Sequence, residues 1–214
     1  MDIRLILVQA FAIFFAITVH EAAHAWMANR LGDPTAAALG RASLNPLVHI
    51  DLFGTIIFPL LLILFRQPVF GWAKPVPYNP RNLRNPRKGG LWISFAGPIA
   101  NIATAAASVL IFRVLKLFGA RITDMSALSR PLEGLGIILL FTALINISLA
   151  VFNLIPIPPL DGSGILAGLL SERGAAQYER LRPYGFLILI ALMYTRALTL
   201  VFAPVQNLVF RLFS

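Results

Sequence analysis

Long apolar runs separated by short polar segments dominate the 214-residue chain. A helix needs about 20 apolar residues to cross a bilayer, and four runs reach that length: residues 4–28, 91–117, 133–155 and 184–203. A fifth run, residues 52–65, is shorter and contains Pro59, so it predicts a re-entrant or tilted partial segment. The pattern predicts an all-α polytopic membrane protein with about four to five transmembrane helices.

Turn-forming residues fill two of the segments between these runs. Residues 66–90 are rich in Pro, Asn, Gly and basic side chains, and residues 33–51 contain turn signals. A short strand is predicted around Leu39–Leu44, which would give a small β-like loop region beside the helices. We expect residues 1–214 to form a single membrane-embedded domain, because the chain has no room for a separate soluble module.

Composition supports a membrane protein and narrows its partners. The chain is 58% hydrophobic and 13% charged, with a mean hydropathy of +0.79, whereas soluble domains contain about 25% charged residues. Its net charge of +9 comes from basic residues that flank apolar runs, and no basic stripe is interleaved with aromatic residues. The predicted partner is therefore the lipid bilayer and not nucleic acid. Because the chain has no cysteine, His, Asp or Glu would have to hold any metal.

Candidate chemistry lies inside the first apolar run, at His20-Glu21-Ala-Ala-His24. On a helix, His20 and His24 project from one face and can share a metal ion. Zinc accepts two imidazole nitrogens and leaves a position open for water, and Glu21 is placed to take a proton from that water. The alternative is a pair of core histidines without metal, which would leave costly ionisable groups at membrane depth.

A second ionisable group, Asp161, follows a proline-rich break. Three prolines between residues 153 and 162 interrupt the helix that begins near Glu133. The Asp161 carboxylate could point back into the helix bundle, or it could cap the next helix at the interface. Since the two histidines lack a third protein ligand, Asp161 is the best candidate for that ligand.

Small and polar residues also stand together near the start of the 91–117 run. Gly97 and Pro98 would let helices approach closely, and Asn101 could bond across the interface. A helix-packing seam explains these three residues, and a substrate groove is the alternative. His49 belongs to neither motif: it could support a metal ligand or gate the substrate, or it could be an interfacial histidine that hydrogen-bonds a loop.

Taken together, the motifs resemble the site-2 protease family of intramembrane zinc metalloproteases. The resemblance covers about residues 4–165 and is carried by His20-Glu21-x-x-His24, Gly97-Pro98-x-x-Asn101, and Asn153 followed by Pro159-Leu160-Asp161-Gly162. Residues 71–77 are also similar to the segment before the middle helix in compact bacterial members. The resemblance implies a catalytic core without a PDZ or CBS domain.

The resemblance also implies a role for each residue of the motifs. His20, His24 and Asp161 would bind one Zn²⁺ per chain, and Glu21 would activate water. Asn153 would contact the substrate or the oxyanion.

Charge predicts the orientation of the site in the membrane. His20 lies near the end of its helix, Gly97 near the start of the next, and Asp161 after the third, so all three should be near one face. Residues 29–90 and 156–183 of that face carry eleven basic residues, whereas the opposite side carries five. The positive-inside rule therefore places the active site toward the cytoplasmic face of a bacterial or archaeal cell membrane.

These observations predict a zinc endopeptidase that hydrolyses peptide bonds within or near the transmembrane segments of other membrane proteins. An extended edge in residues 33–51 or 66–80 would hold the unwound substrate by β-addition. A metal or ion transporter and an inactive protease-like scaffold are the alternatives, and a Glu21→Gln variant would separate transport from proteolysis. The sequence leaves the substrate and the oligomeric state open.

Overall fold

The computed structural model describes residues 2–65, 71–119, 129–195 and 197–214. Its α-helices are α1 (Ile3–Arg30), α2 (Thr35–Ala38), α3 (Phe58–Leu64), α4 (Pro86–Gly119), α5 (Ser129–Asn153), α6 (Asp161–Leu169), α7 (Glu172–Glu179), α8 (Gly185–Tyr194) and α9 (Ala197–Phe213). Short 3₁₀ turns occupy Pro46–Val48, Pro80–Asn82 and Arg182–Tyr184, and a π-helix occupies Leu52–Ile57. The prediction of an all-α membrane protein is confirmed.

Helices α1, α4 and α5 are each long and apolar enough to cross a membrane, as three of the four long runs predict. The fourth long run, residues 184–203, counts as a span only if two bent helices are taken together as one. That run is divided between α8 and α9, and the chain bends there by 69°. In the sequence, Arg196 interrupts this apolar run, although its position is outside the described residues. A charged side chain within a span is costly, because it must enter hydrocarbon. The described residues thus contain three candidate spans, or four if the bent pair is one span.

The short apolar run at residues 52–65 forms the π-helix followed by α3. Together these helices extend roughly 20 Å, which is less than the hydrocarbon thickness of about 30 Å. This length agrees with the predicted partial segment.

The predicted strand at Leu39–Leu44 is wrong, and no β-strand occurs in the described ranges. Helix α2 ends at this point, and Gly40 adopts a positive φ of 71°. The N–H of Arg41 then donates to the carbonyl of Ala36, which closes the turn. Because a left-handed residue reverses the chain after a helix, this segment cannot continue as a strand.

A buried aspartate connects the loop after α1 to the loop before α4. At the end of α1, Gly32 has a φ of 105° and the N–H of Asp33 donates to the Ala28 carbonyl. The carboxylate of Asp33 is fully buried and accepts hydrogen bonds from the Thr35 hydroxyl, the Asn79 N–H at 2.7 Å and the Asn82 amide at 2.7 Å. These bonds hold the two loops together at one end of the helix bundle.

Small side chains line the helix interfaces. Buried alanines lie on all three long helices: Ala12, Ala16, Ala25 and Ala28 on α1, Ala96 and Ala105 on α4, and Ala143 and Ala150 on α5. In membranes, small residues allow close backbone approach and good van der Waals packing. Helix α9 joins this core through Val209, which packs with Ala105 and Ala143.

Helix α6 packs against α4 through two glycines. A Cβ at Gly164 would lie 2.2 Å from Ser94 Oγ, and one at Gly168 would lie 2.6 Å from Leu91 Cβ. Only glycine therefore permits this approach, which carries Asp161, the first residue of α6, to the histidines of α1.

Candidate metal centre and active site

Two histidines of α1 face one carboxylate of α6. His20 and His24 are 5% and 8% exposed, and their Nε2 atoms lie 3.0 and 3.3 Å from Oδ2 of Asp161. The possible ligand atoms of the three residues all lie within 4.8 Å of one another. The structure therefore brings together the three residues that the sequence singled out as a metal-binding set.

Hydrogen bonds decide which nitrogen of His20 is free. Its Nδ1 lies 2.6 Å from Oδ1 of Asn101, while the Asn101 amide nitrogen donates to the Ala16 carbonyl and to Oδ1 of Asn146 at 2.7 Å. Because Oδ1 of Asn101 can only accept, Nδ1 of His20 carries the proton. The lone pair of His20 is therefore on Nε2, which faces Asp161.

A backbone carbonyl has the same effect on His24. Its Nδ1 lies 2.7 Å from the carbonyl oxygen of Ile93, which can only accept a hydrogen bond. Nδ1 of His24 therefore carries the proton, and the lone pair on Nε2 faces Asp161. Metal-binding histidines in proteins are commonly oriented in this way by a hydrogen bond from the other ring nitrogen.

The donor set fits zinc. With both ring protons on Nδ1, three electron pairs converge without a proton between them, and the buried Oδ2 of Asp161 has no hydrogen bond within the described part of the chain. A cation satisfies all three atoms at once. In a tetrahedral site with bonds of about 2.0–2.2 Å, ligand atoms lie about 3.3–3.6 Å apart, close to the two observed distances. Two imidazoles and a carboxylate are ligands that zinc accepts.

Gly97 provides the space beside the histidine rings. A Cβ at this position would lie 2.5 Å from Nε2 of His24 and 2.7 Å from Nε2 of His20. Both contacts are too close for any side chain. The glycine of the middle helix therefore keeps α4 against the two Nε2 atoms, whereas the neighbouring Pro98 is fully buried in the helix packing.

A cavity of about 430 Å³ adjoins the three residues. Glu21 and Asn153 both line it, and the Asn153 side-chain nitrogen donates to the Leu149 carbonyl at 3.1 Å. One wall consists of the irregular segment before α4, including Gly71, Trp72, Ala73, Pro75, Val76 and Tyr78. The cavity thus combines a metal-binding set, a carboxylate and an amide on an otherwise mainly apolar surface.

Four of the residues considered from the sequence lie outside this cavity lining: Gly97, Pro98, Asn101 and His49. Asn101 is fully buried between helices and contacts His20, so it occupies the packing seam and not the groove. His49 is 2% exposed, and its Nε2 lies 2.8 Å from the Ser43 carbonyl oxygen. It therefore makes a loop contact.

Asn146 and the Ile93 carbonyl also orient the histidines, and the sequence did not predict either role. Asn146 is fully buried on α5 and fixes the orientation of Asn101 through its Oδ1. An amide within an apolar span was a visible signal, because polar groups in membranes need partners. The role of the Ile93 carbonyl had no sequence signal, since every residue has such a group.

Apolar spans that enclose a His-Glu-x-x-His helix and a converging aspartate define an integral membrane protein of the zinc metalloprotease class. Comparison with known proteins agrees: the family model described as "Peptidase family M50" matches residues 8–195. The chain therefore belongs to peptidase family M50, the site-2 proteases, and is a zinc metalloprotease.

Two relatives carry matching names. The chain is 35% identical over 192 residues to "Putative zinc metalloprotease YwhC" of Bacillus subtilis (strain 168), covering 90% of this chain and 82% of the relative. It is 28% identical over 185 residues to "Putative zinc metalloprotease Rip2" of Mycolicibacterium smegmatis (strain ATCC 700084 / mc(2)155), covering 86% and 65%. No solved structure matches the chain.

Proposed function

We propose that this protein is an intramembrane endopeptidase, which hydrolyses peptide bonds within or near the transmembrane segments of other membrane proteins. The observation that carries the proposal is the position of the metal-binding set. His20 and His24 lie in the C-terminal half of a 28-residue apolar helix, ten and six residues before its end at Arg30. This position supports the proposal, because a cavity beside an apolar span is open to a transmembrane substrate.

We propose that His20, His24 and Asp161 hold one zinc ion per chain. Zinc in such a site lowers the pKa of its bound water to about 7 and polarises a carbonyl. Glu21 lines the same cavity and follows His20 directly, so its carboxylate can take a proton from water and later deliver it to the leaving amine. The apolar walls exclude bulk water, which strengthens these electrostatic interactions.

Asn153 is proposed to hold the substrate. It ends α5 at the cavity, and its amide nitrogen uses one hydrogen bond on the Leu149 carbonyl. Because an amide nitrogen has two hydrogens, the second can reach a substrate carbonyl or the oxyanion that develops from it.

The extended segment of residues 71–79 is the proposed docking edge for an unwound substrate. The N–H groups of Trp72 and Lys74 donate to the carbonyls of Gly54 and His49 at 3.1 and 2.9 Å. Because alternate residues of an extended segment direct their N–H groups to the same side, both hydrogen bonds leave from one edge. That edge is bound to the part of the chain that contains His49 and Gly54. Ala73 lies between them and lines the cavity, so we propose that its N–H and carbonyl, on the opposite edge, pair with an unwound peptide, whereas Pro75 and Pro77 of that edge have no N–H to donate.

A Glu21→Gln variant tests the proposed chemistry. Purified protein in lipid vesicles would be given a transmembrane peptide and assayed for cleavage and for zinc content. We expect zinc to remain near one per chain while cleavage falls by about 10²–10⁴, the usual contribution of a general base. The His20→Ala/His24→Ala variant should lose both.

Two results would overturn the proposal. Undiminished cleavage by Glu21→Gln would remove Glu21 from the chemistry. Cleavage of soluble peptides with the same efficiency as a membrane-embedded peptide would remove intramembrane action while leaving the metalloprotease class intact.

A further inference from the structure

A second cavity lies between the end of α1 and the start of α4. Its volume is about 210 Å³, and it shares no lining residue with the cavity beside the histidines. Three cations, Arg30, Arg84 and Lys88, line it together with Trp92. We call this the basic cavity.

The positive charge of the basic cavity is not neutralised by the described part of the chain. No acidic residue lines it, and its three cationic side chains form no ion pair with the residues that the structure describes. Asp33 is near Arg30 in sequence, but the carboxylate of Asp33 is buried and accepts hydrogen bonds from three other residues. Like charges that line one cavity repel unless an anion lies between them.

Arg87, at the start of α4, is a nearby cation that makes a structural contact. Its Nε donates to the Gly168 carbonyl at 3.1 Å, so it joins α4 to α6. Arg84 and Lys88 lie on either side of it in sequence, but their side chains make no such contact among the described residues. Arg84 and Lys88 have in common that both line the basic cavity.

Aromatic and apolar groups surround these cations. Trp92 is 50% exposed in the lining, and Trp26, 53% exposed, stacks beneath the Arg30 guanidinium at 5.4 Å. Leu31 and Leu83 form an apolar part of the cavity wall. Indole rings concentrate at membrane interfaces because one part is apolar and the N–H is polar.

From this combination we infer that the basic cavity binds the phosphate headgroup of an anionic membrane lipid. Free phosphate would use the cations alone, whereas a lipid also uses the exposed indoles of Trp26 and Trp92. The cavity lies where a span ends and the next begins, which is headgroup depth. Basic cavities between transmembrane helices bind anionic headgroups in this way. The inference does not depend on the proposed intramembrane cleavage.

Lipid retention measures this binding directly. The full chain would be reconstituted in bilayer discs of phosphatidylcholine with a minor fraction of phosphatidylglycerol, then released and examined by native mass spectrometry. We expect the wild type to retain phosphatidylglycerol in preference to phosphatidylcholine. Each basic residue near an anionic lipid contributes about fivefold in affinity, so Arg84→Gln/Lys88→Gln should weaken retention by roughly 25-fold.

A matched control uses two exposed arginines outside the basic cavity. Arg81→Gln/Arg173→Gln removes the same charge and should retain phosphatidylglycerol as the wild type does. A single Arg30→Gln variant provides a milder change, with about fivefold weaker retention expected. Zinc content, which should not change in any of these variants, verifies that each one is folded.

Soluble competitors separate a lipid site from a phosphate site. Millimolar inorganic phosphate or glycerol phosphate should leave the retained lipid in place. Displacement by either would overturn the lipid assignment in favour of a soluble phosphate ligand. Equal retention by the cavity variant and the control variant would overturn the site itself.

Discussion

The proton on each histidine ring determines whether the site can bind metal. Asn101 and the Ile93 carbonyl accept from Nδ1 of His20 and His24, so both Nε2 lone pairs face Asp161. Asn146 holds the amide of Asn101 in the required orientation. The metal-binding set therefore depends on partners on α4 and α5 as well as on its own three residues.

Asn101→Ala is expected to lower zinc affinity by about 10–100-fold, the usual effect of removing a partner that orients a ligand. Competition with a zinc-selective chelator measures this change. Gln206→Ala is a suitable control, because Gln206 donates to the Ser148 hydroxyl at 3.4 Å in a helix contact away from the histidines. Unchanged zinc affinity in Asn101→Ala would show that the His20 ring is held by packing alone.

Gly97→Ala is expected to abolish most zinc binding. The new Cβ would lie 2.5 Å from Nε2 of His24, so a ring or the whole of α4 must move. Gly134→Ala on α5 is the matched control, because its Cβ would meet no atom within 4 Å. Metal analysis of both purified variants makes the comparison, and normal zinc content in Gly97→Ala would contradict the packed position of Gly97.

At the scale of elements, the position of Asp161 is set by the packing of α6 on α4. The proline-rich turn ends α5 near the cavity, and Gly164 and Gly168 then let α6 approach Ser94 and Leu91. Asp161 reaches the histidines because of this contact, although it is more than 130 residues away in sequence.

Gly164→Ala tests this dependence. Its Cβ would lie 2.2 Å from Ser94 Oγ and 3.1 Å from Ser94 Cβ, so either the Ser94 hydroxyl rotates away or α6 moves from α4 and carries Asp161 with it. We expect weaker zinc binding, and Ser94→Ala in the same chain should restore part of it by removing the clashing hydroxyl. Zinc affinity at the wild-type level in Gly164→Ala would show that the clash is relieved without moving Asp161.

A second link between elements is the Asp33 carboxylate. Burial raises the pKa of this group, but hydrogen bonds from Thr35, Asn82 and Asn79 outweigh burial and hold the pKa below its ordinary value of 3.8. A carboxyl with a lowered folded-state pKa adds stability above its unfolded pKa and loses it as the pH falls through the folded pKa.

Asp33→Asn should therefore lower the free energy of unfolding by about 1–3 kcal/mol near neutral pH, because buried donors lose an acceptor. Thermal unfolding in detergent should show a constant difference in stability between the wild type and Asp33→Asn down to about pH 4. Below pH 3.8 this difference should become smaller. Asp2→Asn, an exposed change at the start of α1, should leave stability nearly unaltered. An undiminished difference in stability at pH 2 would contradict a stabilising role for the charge of the Asp33 carboxylate.

At the scale of the whole molecule, the two ends of the helix bundle differ. The loops around Asp33 and the start of α4 lie at the end where the basic residues are concentrated. At the other end, Lys116 of α4 donates to the carbonyl oxygen of Ser214. The charge difference therefore predicts that the first end is cytoplasmic.

Single cysteines test this orientation, because the chain has none of its own. In intact cells, an impermeant thiol reagent should label Ser214→Cys and fail to label Arg81→Cys until the cells are opened. Both positions are exposed, so access alone does not distinguish them. The reverse labelling pattern would place the site at the opposite membrane face, and the metal site itself would be unaffected.

Much of this molecule is encoded in local sequence patterns. The lengths of apolar runs predicted α1, α4 and α5, because a helix in lipid must satisfy its own backbone hydrogen bonds over a set thickness. The spacing of His20 and His24 likewise placed both rings on one face of α1, because residues four apart are neighbours on any helix. These features need no distant partner. That the whole chain forms one domain stays a prediction.

Tertiary structure alone decided the features that join distant segments. Apolar length did not reveal the bend between α8 and α9, and turn residues did not reveal that Leu39–Leu44 closes α2 and forms no strand. The ring protons of the histidines follow from Asn101, Asn146 and a backbone carbonyl on other helices. Such contacts depend on how the helices approach one another, and that approach is set by side-chain shape across each interface, which a periodic pattern does not specify.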